Sequence, residues 1–232
     1  MLFGFSWFYY DWTILIVLPA LIFTIWAQIK VSSSFNKYSK VRTSRGMTGA
    51  DVARRILDAN GLYNVRIEKV RGSMTDHFDP RANVVRLSET VHDVSSVAAI
   101  GVAAHEVGHA IQHAKGYFPI KVRSAIIPVT RVGSMIAMPL FIIGLLLASD
   151  ALLLFGIVLY SFVTLFQLVT LPVEFNASRR ALDTLRSRSM LSSSEIGGAK
   201  SVLTAAAMTY VAALATSLLT LLRLLALANR RR

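Results

Sequence analysis

Residues 125–171 read AIIPVTRVGSMIAMPLFIIGLLLASDALLLFGIVLYSFVTLFQLVTL, and Arg131 and Asp150 are their only charged side chains. The stretch divides at Ser149-Asp150 into two apolar runs, 125–148 and 151–171. At 1.5 Å per residue each is long enough to cross a hydrocarbon core of about 30 Å. A two-residue break leaves room only for a turn, so the two runs are expected to form a hairpin across a bilayer. Two more runs of spanning length lie outward of it, at 12–29 and 203–227. Pro19 falls inside the first and is tolerable in a membrane helix. Arg131 and Arg223 lie near the ends of their spans, where long cationic side chains can reach the interface. A hydrophobic fraction of 54% and a mean hydropathy of +0.53 agree with a multi-pass membrane protein.

The net charge of +12 could mean nucleic acid or an anionic membrane surface. No nucleic-acid motif accompanies it, and the basic residues flank the apolar runs, so the bilayer is the expected partner. The first run carries only Asp11 ahead of it and has no basic leader or cleavage site, which excludes a secretory signal peptide. Lys30, Lys37, Lys40, Arg42 and Arg45 follow it. By the positive-inside rule the N-terminus lies outside and the next segment is cytoplasmic. Four spans then place Arg230, Arg231 and Arg232 outside, against the same rule.

The polar segment 32–123 alternates short elements. Thr48 reads as an N-cap for a helix over 49–59, stopped by Asn60-Gly61. Residues 65–70 and 83–87 alternate as strands, and an Asp79-Pro80-Arg81 turn precedes the second. A helix rich in small residues is expected over 93–113, ending near Lys115-Gly116.

That helix carries His105-Glu106-Val107-Gly108-His109. Positions i and i+4 share a helical face at roughly 6 Å, so two imidazoles there can reach one tetrahedral zinc. Glu106, beside the first histidine, can take a proton from an attacking water and pass it to a leaving amine. The chain has no cysteine, so a metal must be held by histidine and carboxylate. The plain alternative is two helix histidines in core or surface roles. A third ligand is needed. His113 is one more turn along, but His105 and His113 stand about 12 Å apart on a straight helix. His113 therefore reads as a neighbour of the site or a substrate-facing residue. Glu174 is the better candidate. Two spans separate it from the histidine helix, and an even number returns the chain to the same side. The alternative for Glu174 is a helix-start carboxylate paired with Arg179 or Arg180. His77 and His92 lack ligand spacing, and His77 lies in a polar turn that could border the cleft.

Four blocks carry a resemblance: Asp76-His-Phe-Asp-Pro-Arg81, Val85-Arg-Leu-Ser88, Ala103-Ala-His-Glu-Val-Gly-His-Ala-Ile-Gln112 and Pro172-Val-Glu-Phe-Asn-Ala-Ser-Arg-Arg-Ala181. With them, in this order, the chain resembles the YugP-like family of small bacterial membrane zinc metallopeptidases. More distantly its order of elements is similar to the heat-shock membrane protease HtpX and the prenyl-protein proteases. The resemblance implies a gluzincin-like site with Zn²⁺ on His105, His109 and Glu174 and with Glu106 as general base. In that wider group an acidic residue often stands four after the ligand Glu and orients a ligand His. Here that position is Ser178, which offers a hydroxyl without a carboxylate's charge. The resemblance also implies that the strand 83–87 is the edge that pairs with an extended peptide.

The expectation is thus an α+β membrane protein, mostly helical, with about four transmembrane helices and a small gluzincin-like zinc peptidase domain on the cytoplasmic face. Its parts are an N-terminal anchor (1–30), a cytoplasmic peptidase segment with the HEVGH helix (31–123), a transmembrane hairpin (124–171), a Glu-ligand segment (172–200), and a last span with a basic tail (201–232). The expected function is hydrolysis of peptide bonds in a polypeptide substrate, with membrane-protein turnover implied by the resemblance alone. The expected place is the cell membrane. Asn176, Arg179 and His113 are the candidates for steadying an oxyanion. Two other readings compete. One is a site-2-type intramembrane protease, raised by the apolar 94–111 segment. The other is a zinc-binding adaptor without turnover, against which Glu106 speaks.

Overall fold

The structure, a computed structural model, describes residues 12–230. Asp11, Arg231 and Arg232, which entered the orientation argument, lie outside the described residues. The chain divides into two compact units. One comprises Arg123–Val169 with the described residues before 27 and after 209; the other comprises Ala27–Val122 and Thr170–Thr209.

The first unit is built from four helices long and apolar enough to cross a membrane: α1 (Ile14–Tyr38), α4 (Phe118–Leu146), α5 (Asp150–Ser187) and α6 (Ser193–Asn229). Each runs on past its apolar stretch, and the ends of α1, α5 and α6 belong to the second unit. Large apolar side chains stand exposed on all four, among them Ile22, Leu146, Leu154 and Leu222. Side chains of this kind want hydrocarbon, and backbone groups satisfied within a helix tolerate it. The hairpin forms as its short break requires. α4 ends at Leu146, Ala148 turns with φ +53°, and α5 starts at Asp150. Small residues set how closely its arms pack. A Cβ on Gly156 would lie 3.0 Å from the carbonyl oxygen of Ala137 and from the backbone nitrogen of Phe141. Polar pairs join the other helices of this unit: Thr24 and Thr216 hydroxyls lie 3.1 Å apart, and Thr164 donates to the Ser217 carbonyl at 3.4 Å. Arg223 donates to Thr13 at 3.3 Å.

The second unit holds α2 (Gly49–Ala59), a three-stranded sheet and α3 (Val97–Ala114). α2 starts at a capping box in which Thr48 accepts from Asp51 and the Asp51 carboxylate accepts from Thr48. Its buried stripe of Val52, Ala53, Ile56 and Leu57 packs on α3. The strands are β1 (Arg66–Val70), β2 (His77–Asp79) and β3 (Val84–Ser88). Their order is β1-β3-β2, with β1 parallel and β2 antiparallel to β3. Arg86 on β3 ties all three, donating to Glu68 on β1 and to Asp79 on β2 at 2.7 Å. That bond, with the Arg81 and Ala82 amides, holds the Asp79 carboxyl down to about 2. Asp76 accepts from the backbone and hydroxyl of Ser88 and so pins the loop before β2. Burial outweighs those bonds and pushes its pKa up.

The structure corrects four expectations. β3 is the central strand with both edges paired, so the strand 83–87 is no edge for a peptide; the outer edges belong to β1 and β2. His77 opens β2 instead of lying in a turn. α3 begins at Val97 and not near 93, because the Ser96 hydroxyl accepts from Ala99 and caps it there. Glu174 does not start a helix. α5 runs unbroken through Pro172, and Glu174 stands well inside it.

Candidate metal centre

α3 is nearly enclosed by the second unit. Val97, Ala98, Ala99, Ile100, Ala103, Ala104, Val107 and Ala110 are all buried. A helix apolar all round is a buried one, and α3 is not among the four helices fit to cross a membrane. Its small residues serve close approach. At Gly108 a Cβ would sit 2.8 Å from the carbonyl oxygen of Ala177 on α5. That contact brings the histidine helix against the glutamate helix. The contacting face of α5 reads Val173, Glu174, Ala177 and Ala181, all buried, at the spacing of one helical face.

Across this contact His105, His109 and Glu174 converge, each offering one ligand atom within 4.8 Å of the others. His105 Nε2 lies 3.2 Å from Glu174 Oε2 and 3.2 Å from His109 Nε2. His109 Nε2 lies 3.4 Å from the same carboxylate oxygen. Ligands at 2.0–2.1 Å from a tetrahedral ion are spaced about 3.3 Å apart, so this triangle has the size of one face of a zinc site. The donor set, two imidazoles and a carboxylate, is also one that zinc takes. All three side chains are largely buried, Glu174 at 3% exposure. Burial alone would push the His109 pKa down; Glu174 and Glu106 reverse this and hold it above the ordinary value. The place is one where negative charge favours a cation.

The far nitrogens are also engaged. Ser178 lies 3.1 Å from His105 Nδ1, where sequence reasoning placed a hydroxyl in lieu of a carboxylate. Gln112, which carries no ligand or base spacing of its own, lies 3.0 Å from His109 Nδ1 through its Oε1 and is fully buried. The available signal was its i+3 spacing from His109. Asn176 takes part in the same network through its Oδ1. His113 lies outside the ligand group, exposed, with its ring 5.9 Å from Phe78 of β2. Arg179 is exposed. Glu106 is half-buried and follows His105 directly. His92 pairs with Asp93 and is not in the group.

Gly108→Ala is expected to force α3 and α5 apart by some tenths of an ångström, because the added methyl meets backbone, which cannot rotate away. Zinc affinity should drop more than thermal stability, and chelator competition set beside a melting curve checks it. Unchanged zinc affinity would show that the close contact does not set the ligand spacing.

Residues 13–229 match the family described as "Putative neutral zinc metallopeptidase". The chain is 52% identical over 210 residues to the "Putative membrane protease YugP" of Bacillus subtilis (strain 168), covering 90% of this chain and 93% of that protein. No solved structure matches. With zinc as the metal that this family implies, and a buried His-His-Glu triangle of the size zinc requires, the chain belongs to this family of zinc metallopeptidases.

Proposed function

We propose that the protein is a membrane-embedded zinc endopeptidase in which His105, His109 and Glu174 hold the metal and Glu106 is the general base. The observation that carries this is the convergence of the three ligand atoms from two helices onto one triangle of 3.2–3.4 Å sides. Bound there, zinc supplies Lewis acidity to a water and to the scissile carbonyl. The protein's own groups do the rest. Glu106 takes a proton from the attacking water and returns it to the leaving amine nitrogen. Ser178 and Gln112 keep the ligand imidazoles turned toward the ion. The candidates for a donor to the developing oxyanion are His113 and Arg179, both exposed, and the amide nitrogen of Asn176, whose carbonyl oxygen accepts from Gln112 and Arg180.

An extended polypeptide would add to the outer edge of β2, which Phe78 sets beside His113 on the histidine helix. The basic segments after α1 favour the cytoplasmic side for this unit, and a membrane-protein substrate fits an enzyme with four apolar helices. The intramembrane reading is weakened by the enclosure of α3 in protein.

The test uses detergent-purified protein and casein or a membrane-derived peptide. Stripping zinc with a chelator should abolish cleavage, and one equivalent of Zn²⁺ should restore it. Cleavage that survives complete removal of metal would refute the reading.

A further inference from the structure

We propose that Gln112 is the positioning residue for His109, and that α5 fixes its amide so that the helix supplying Glu174 also sets which nitrogen of His109 faces the metal. The inference rests on the zinc-site reading above. Its chain of reasoning starts at Arg180, whose guanidinium can only donate. Arg180 Nε lies 2.7 Å from Asn176 Oδ1, so that atom is an oxygen accepting a bond. Gln112 Nε2 lies 3.0 Å from the same oxygen and 2.7 Å from the Val173 carbonyl. Both are acceptors, so both amide hydrogens of Gln112 are spent on α5. Its Oε1 is thereby turned to His109 Nδ1 at 3.0 Å. A carbonyl oxygen cannot donate, so Nδ1 carries the hydrogen. The lone pair of His109 is left on Nε2, the atom that faces Glu174 and His105.

Every polar atom of the Gln112 side chain has a partner, and the residue is fully buried. A satisfied buried amide has one orientation, because inverting it would set oxygen against two oxygens. His105 is held differently, by the Ser178 hydroxyl at 3.1 Å, which can accept or donate. Neither far nitrogen meets a carboxylate. The site thus orients its histidines with neutral groups and keeps the carboxylate of Glu174 on the metal-facing side.

The experiment compares wild type, Gln112→Leu, Asn176→Leu and Asn176→Asp as zinc-loaded protein. One readout is the zinc dissociation constant by chelator competition. The other is the hydrogen-bonded Nδ1–H signal of His109 in ¹⁵N-histidine-labelled protein, which a merely structural role would not move. Gln112→Leu should lose about 10–100-fold in zinc affinity, as outer partners of metal ligands do, and its Nδ1–H signal should broaden into exchange with water. Asn176→Leu should move both readouts in the same sense. Asn176→Asp keeps an oxygen for Gln112 and Arg180 and should retain the Nδ1–H signal that Asn176→Leu loses. If Gln112→Leu does not fold, the two Asn176 variants decide. Wild-type affinity and an unmoved signal in the Leu variants would overturn the inference while leaving the peptidase reading intact. A wild type that holds no zinc would sink the peptidase reading, and the Nδ1–H signal of metal-free wild type against Asn176→Leu would then decide the relay by itself.

Discussion

Glu106→Gln is expected to keep its zinc and lose cleavage by about 10²–10⁴-fold, the usual worth of a positioned acid–base group. The substitution conserves shape and removes the carboxylate's charge and its ability to accept a proton. The triangle of ligand atoms is made without Glu106, so the metal has no geometric reason to leave. One side effect is foreseeable. Glu106 is among the charges that hold the His109 pKa up, so losing it lowers proton competition at that imidazole. The same change removes a negative charge that attracts the dication, so zinc binding in the variant should stay close to that of wild type near neutral pH. Metal content measured beside cleavage of casein in detergent checks both halves. Undiminished cleavage would refute the role of Glu106. Loss of zinc together with activity would instead make Glu106 part of the metal's support.

Much of this is legible in the sequence, for physical reasons that differ by element. The spans could be read because an apolar run of membrane length has few other uses. α2 could be read because its cap, stripe and stop all agree. His105 and His109 could be paired because helical spacing is rigid. Glu174 came from counting crossings, which needs no contact information. Elsewhere the local signals were too weak or were overruled. β2 is three residues long and borders Pro80, so its turn residues outweigh an alternation too short to see. Its place at the sheet edge is a pairing choice, and without β2 on the map β3 took the edge by default. Pro172 normally marks a helix start or end. Here α5 carries on through it, and from Val173 onward one face of the helix meets α3. Gln112 is hard to single out in the sequence because an amide near a helix end usually faces water, and its i+3 spacing from His109 is a weak signal alone. Its burial and the 3.0 Å contact of its Oε1 with His109 Nδ1 show that it faces the site.

Glu174→Ala should uncouple zinc from the fold. A ligand that binds only the folded state stabilises it by RT ln(1 + [L]/Kd), about 2.7 kcal/mol at a free concentration of 100 Kd. Wild type should therefore melt at a temperature that climbs as free zinc is raised. In the variant two imidazoles remain, both from α3, and nothing on α5 reaches the ion. Its zinc affinity should fall by more than the 10–100-fold that outer partners cost, and its melting temperature should stay flat over the zinc range that saturates wild type. The comparison separates a ligand from a structural carboxylate. If Glu174 were only a buried partner of the histidines, its removal would destabilise the protein at every zinc concentration and leave the slope of melting temperature against log zinc unchanged. Glu174→Gln sharpens the distinction, because it keeps an oxygen in place and removes the charge. Its slope should lie between the other two, because a neutral amide oxygen is a poorer partner for zinc than a carboxylate. A variant that retains stoichiometric zinc after dialysis would remove Glu174 from the ligand set and, with it, the reason that α3 and α5 are brought so close at Gly108.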